Sequence, residues 1–105
     1  MLTYPVKGKE MDMVLSGEMR EMYREVNKET RKVLEGMCTM QPGGGMVLHG
    51  NLAEKHEIRL RSGSGENARA CVITCWIDKG YGLQRYGAQA GVMYYRLHIT
   101  GVKPL

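Results

Sequence analysis

Hydrophobic positions change their period along this chain, from helical steps in the first third to strand-like alternation in the second half. Met11, Val14 and Leu15 recur at helical spacing, and Glu10 and Asp12 suit the positive end of a first turn. Gly17 offers the left-handed residue that commonly ends a helix, so the pattern predicts a short helix that stops there. A single long helix from Glu10 to Met37 competes with this, because Leu15, Met19, Met22, Val26, Val33 and Met37 keep an apolar stripe. It would bury Gly17 in a helix interior at a cost of about 1 kcal/mol relative to Ala. It would also waste Asn27, a good N-cap for a second helix. Arg20 to Val26 is therefore expected as a strand between two helices. The second helix carries Val33, Leu34 and Met37 on one side, Lys28, Arg31 and Lys32 on the other, and ends at Gly36.

Thr3 to Lys7 reads as an opening strand at a sheet edge, since Pro5 cannot donate to a ladder. Gln41 to Gly45 reads as a connecting loop. Its three glycines lack the Gly-Lys-Ser/Thr ending and following helix of a phosphate-cradling loop. Four further strands are expected at Met46–Asn51, His56–Arg61, Ala70–Asp78 and Val92–Val102, where branched and aromatic residues concentrate. In the last of them Tyr95, Leu97 and Ile99 alternate with Tyr94, Arg96 and His98, which predicts one buried and one polar face. Strand, helix, strand, helix and then four strands make an α+β domain, with a curled sheet or small barrel expected from the many short strands.

The 105 residues suit one domain, residues 1–105, with 43% hydrophobic and 25% charged residues as in an ordinary soluble protein. No apolar run approaches the roughly 20 residues that span a bilayer, and Met-Leu-Thr-Tyr-Pro-Val lacks the apolar core of a secretion signal. A cytoplasmic protein without membrane association is expected. Cys38, Cys71 and Cys75 cannot all pair internally, so reduced thiols are expected, with Cys71 and Cys75 on one face of their strand. The net charge of +4 permits an anionic partner. Nine methionines and no phenylalanine predict a soft, adaptable core.

Several segments, in order, match a known pattern: Pro5-Val-Lys-Gly-Lys-Glu10, Leu15-Ser-Gly-Glu18, Tyr23-Arg-Glu-Val26, Arg59-Leu-Arg-Ser-Gly63, and Tyr86-Gly-Ala-Gln-Ala-Gly91 before Tyr94-Tyr-Arg-Leu97. Over nearly its whole length the chain resembles the ASCH domains of the PUA-like superfamily, specifically the short phage-type members. The resemblance implies a small PUA-like β-barrel of five to six mostly antiparallel strands with two flanking helices. It also implies a cleft beside the loop carrying the motif Gly-x-Lys-x-x-Glu-x-Arg. Proteins of this group are thought to bind RNA or nucleotides, and some relatives act as amidohydrolases on acylated cytidine or as ribonucleases. Here the motif's glycine falls on Gly17 and its arginine on Arg24, but Met19 and Met22 occupy the lysine and glutamate positions. Arg20 and Glu21 stand one residue away, a displacement that reverses side-chain direction in a strand. A thioether neither receives a proton nor tunes a neighbour's proton affinity, so hydrolysis by the family's reactive pair is not expected.

The expected function is a binding module that holds RNA or a nucleotide in a basic cleft and needs no cofactor. Lys7, Arg20, Arg24, Arg59 and Arg61 are the expected phosphate contacts, because guanidinium forks match phosphate geometry. Tyr23 or Tyr86 would stack on a base, with Trp76 and Tyr81 as further aromatic platforms. The alternative is a hydrolase of a modified nucleoside or of RNA, with Glu21 as a displaced general base supported by Arg24 or Lys7. A protein-interaction factor of phage origin, using Met-rich helices, ranks below both. His49, His56 and His98 have no recognisable ligand spacing, so no metal site is expected.

Overall fold

A computed structural model describes residues 2–35 and 55–105. The described elements are β1 (Leu2–Pro5), α1 (Gly8–Leu15), β2 (Glu21–Glu25), α2 (Lys28–Glu35), β3 (His56–Ser62), β4 (Arg69–Tyr81) and β5 (Met93–Pro104). The expected Met46–Asn51 strand, the Gln41–Gly45 loop and the helix end at Gly36 lie outside the described residues.

Both helix boundaries follow from local chemistry. Ser16 donates its hydroxyl to the Met13 carbonyl at 3.1 Å, and the next residue, Gly17, turns left-handed at φ 79°. α1 therefore stops where the glycine permits it, and the long-helix alternative does not form. Asn27 caps α2, its side-chain oxygen accepting the Thr30 N–H at 2.8 Å. Between them β2 runs two residues shorter than the expected Arg20–Val26 strand.

The sheet has the order β1-β3-β4-β5-β2. β1 lies parallel to β3, and the other pairings are antiparallel. β1 is an edge strand, as Pro5 requires. The sheet curls into a half-barrel until its two edges face each other: the Arg24 guanidinium of β2 lies 4.9 Å from the centre of the Tyr4 ring of β1. The architecture is thus the expected α+β arrangement of a curled sheet with two helices.

One face of the sheet carries the core. Ile58 and Leu60 from β3, Cys71, Ile73, Cys75 and Ile77 from β4, and Tyr95 and Leu97 from β5 are buried together with Met11 and Val14 of α1 and Leu34 of α2. Each fully buried Leu or Ile contributes about 1.5–3 kcal/mol by leaving water. Met19 and Met22 join this core, and the Cys71 sulfur lies 3.8 Å from that of Met11. Val33, expected on the apolar side of α2, is instead 40% exposed, because Leu34 alone of that pair turns onto the sheet.

A β-bulge shapes the long β4–β5 ladder. Thr74 pairs with Gly101 but Cys75 pairs with Ile99, leaving Thr100 as the extra residue. Its hydroxyl donates to the Thr74 carbonyl at 3.2 Å. The bulge reverses the alternation of β5. Ile99 and Val102, three residues apart, both turn toward the core, and Lys103 turns to the opposite, outer face with His98, Arg96 and Tyr94.

Candidate functional site on the outer sheet face

Three rungs of the outer face align side chains from three strands. Trp76, His98 and Glu21 form the first, Asp78, Arg96 and Tyr23 the second, and Gly80, Tyr94 and Glu25 the third. Alternation forces this, because the neighbours of Cys75, Ile77, Tyr95 and Leu97 must point away from the core. The polar members then satisfy one another. Arg96 grips Asp78 with two bonds, Nε to Oδ1 at 2.8 Å and Nη2 to Oδ2 at 2.6 Å, and donates to the Tyr81 carbonyl at 3.2 Å. His98 stands between two carboxylates, with Nε2 2.8 Å from Asp78 Oδ1 and Nδ1 3.1 Å from Glu21 Oε1. Tyr23 donates its hydroxyl to Glu21 Oε2 at 2.9 Å and accepts the Leu83 N–H at 2.9 Å.

The charges reflect these contacts. Burial alone would raise the Asp78 carboxyl, but the hydrogen bonds and charges of Arg96 and His98 outweigh it and hold the group below its ordinary range. Asp78 in return makes the Arg96 guanidinium hold its proton more tightly. Burial pushes the Tyr23 phenol up, against the Leu83 N–H and with help from the Glu21 carboxylate.

Two features lock the array. The Arg96 side chain lies across Gly80, where a Cβ would sit 2.7 Å from its Nε, so the position accepts only glycine without a shift. The segment after β4, with a 3-10 turn at Gln84–Tyr86, packs Ala88 against Tyr23 and Tyr94. At the other end of the network the Trp76 indole stacks on the His98 ring, 3.8 Å between centres and 9° from parallel. Trp76 remains 37% exposed.

Farther along the same face lies a basic patch. Thr3, Arg59, Val72 and Lys103 share a rung, and Pro5, Arg61 and Ala70 the next. Arg59, Arg61 and Lys103 are exposed. Among the described residues neither the Arg59 nor the Arg61 guanidinium has an ion-pair or hydrogen-bond partner. A depression of about 350 Å³ opens beside them, lined also by Thr3 and Arg69. Arg69 is tied to α1, to Asp12 at 2.5 Å and to the Gly8 carbonyl at 3.1 Å.

The structure separates residues that the sequence placed in one cleft. Arg59 and Arg61 share the outer face, whereas Arg24 points inward opposite Tyr95, bonded to Glu10 at 3.4 Å and to the Tyr23 carbonyl at 2.7 Å. Arg20 is exposed just before β2, and Lys7 is exposed at the N-cap of α1. Tyr23 is only 9% exposed and hydrogen-bonded, so it offers no free ring to a base. Tyr86 is half-buried with the Arg85 guanidinium 4.9 Å from its ring centre. Glu21 has both carboxylate oxygens engaged.

Sequence reasoning missed the network of Asp78, Arg96 and His98, although alternation in β5 had put Arg96 and His98 on the polar side. The missing piece was the β4–β5 register, which brings Asp78 opposite Arg96. Among the described residues no cluster of three metal-ligating side chains occurs, and no helix is long and apolar enough to cross a membrane. Comparison with protein-family models, with curated proteins and with solved structures finds no match for this chain.

Proposed function

We propose that the chain is an RNA- or nucleotide-binding module of the PUA-like, ASCH type that takes phosphates on its outer sheet face at Arg59 and Arg61. The carrying observation is that pair: two exposed guanidinium groups, side by side on one face, without partners among the described residues and next to a depression of about 350 Å³. An arginine whose donors are not spent internally keeps its fork for a phosphate. The curled α+β sheet with two helices supports the PUA-like assignment, as do the segments that carry the resemblance. The binding surface proposed differs from the cleft the resemblance implies, because Arg24 is held inside.

Anisotropy of a short fluorescent single-stranded RNA over a salt series tests this. Two phosphate contacts contribute about −1.4 to the slope of log affinity against log salt, and Arg59→Ala/Arg61→Ala should remove that share. Lys9→Ala/Lys28→Ala, which deletes the same charge from the helices, should change the slope much less. Equal losses in the two variants would mean that net charge, and not this face, attracts the RNA.

A second reading is hydrolysis of a modified nucleoside or RNA. It is favoured by the continuous chain of titratable groups Tyr23, Glu21, His98 and Asp78. It ranks lower because each of these groups already has partners, which leaves no unengaged base. Glu21→Gln separates the two: a binding module keeps its affinity, and a general-base enzyme loses most of its rate.

A further inference from the structure

Resting on that reading, we infer that the ligand is a single-stranded RNA segment, not a mononucleotide, and that one of its bases stacks on Trp76. Arg59 pairs with Val72 across the β3–β4 ladder, and Trp76 lies four residues farther along β4 on the same face. At about 3.3 Å per residue, the offset is roughly 13 Å along the strand, plus about 4.8 Å to the neighbouring strand. Side chains stand roughly perpendicular to the sheet and lean along it by only part of this distance, so most of the lateral separation persists at their tips. It exceeds the span from a base to the phosphate of the same nucleoside monophosphate, so a monophosphate cannot reach both, whereas a strand whose backbone continues past the stacked base can.

The indole is prepared for this. One of its faces rests on His98, which Asp78 and Glu21 hold from both sides, so the ring needs little ordering when a base arrives. Its remaining exposure is available for stacking, which serves every base alike. Arg59, Arg61 and Lys103 supply the complementary charge at one end of the face. Glu57, exposed on the rung between with Thr74, repels a phosphate and accepts a hydrogen bond instead, from a ribose hydroxyl or an exocyclic amine. Phosphate-binding and base-binding groups are thus spaced along one strand direction, as a backbone with projecting bases requires.

The chain contains one tryptophan, so indole fluorescence excited at the red edge, beyond the absorption of its six tyrosines, reports on this position alone. The parent protein is titrated with uridine monophosphate and with a six-residue oligouridylate, with the labelled RNA followed by anisotropy in parallel. The inference expects the oligomer to quench the fluorescence at saturation and the monomer to leave it unchanged at the same nucleotide concentration. Trp76→Ala should weaken RNA binding by roughly tenfold, and Trp76→Phe by much less. Binding that depends on Arg59 and Arg61 but leaves the fluorescence and the Trp76→Ala affinity unchanged would overturn the inference and leave the phosphate surface standing. Quenching by the monomer equal to that by the oligomer would overturn it in favour of a nucleotide pocket. Absence of any RNA binding at low salt would remove both the reading and the inference.

Discussion

Asp78 and Arg96 provide the sharpest test of the outer-face network. Two charge-assisted hydrogen bonds, at 2.8 and 2.6 Å, join side chains that are 31% and 27% exposed. Hydrogen bonds to charged groups contribute about 1.5–3 kcal/mol each when well buried. An exposed ion pair contributes only about 0.2–1 kcal/mol. Partial exposure places this bidentate pair between those limits, at a coupling of about 1.5–2 kcal/mol. Asp78→Ala alone should cost more, about 2–3 kcal/mol, because His98 loses its Nε2 partner as well. In a domain of this size that corresponds to a Tm lower by about 10 °C or more. Urea unfolding of the parent, Asp78→Ala, Arg96→Ala and the double variant yields the coupling directly. The pair also fixes the pH behaviour. Asp78 is held below its ordinary range, so its stabilisation is complete above about pH 4 and is lost as pH falls through the lower folded-state value. Parent and Asp78→Ala stabilities should therefore converge in strong acid. A coupling below about 0.5 kcal/mol at neutral pH, within the range of an ordinary surface pair, would refute the account of this network as a structural lock.

Replacing Asn27 by Ala removes the acceptor for the Thr30 N–H and should destabilise the protein by about 1 kcal/mol in urea, with Asn27→Ser restoring most of it. In a Cys38→Ser background, Cys71 and Cys75 should resist a thiol-specific chromogenic reagent in the native state and react fully in guanidinium, since both are buried. Burial pushes the Cys75 thiol up to about 12, so the fold should lose stability as pH rises above about 8.5, where the unfolded thiol ionises and the native one does not. A native thiol at Cys75 that reacts as fast as the unfolded one would contradict its place in the core.

The sequence by itself determined the local elements, because their causes are local. Gly17 ends α1 through its left-handed backbone, Asn27 starts α2 through a side-chain bond, and Pro5 confines β1 to an edge. Alternation likewise separated Tyr95 and Leu97 from Arg96 and His98. The bulge was not legible in that alternation, because only the ladder shows that Ile99 and Val102, three residues apart, both face the core. Tertiary structure alone decided which distant residues meet. The resemblance put Arg24 in one cleft with Arg59 and Arg61, yet alternation in β2 turns Arg24 to the core face, where the curled sheet brings it to Tyr4, and leaves the other two outside. The β4–β5 register likewise chose Asp78 as the partner of Arg96 and His98, and stacked Trp76 on the histidine. Strand order and register are set by burying Ile73, Ile77, Tyr95 and Leu97 together across long sequence separations. The outer-face network and the basic patch follow from that burial, because every residue on the reverse of a buried one is delivered to the same surface.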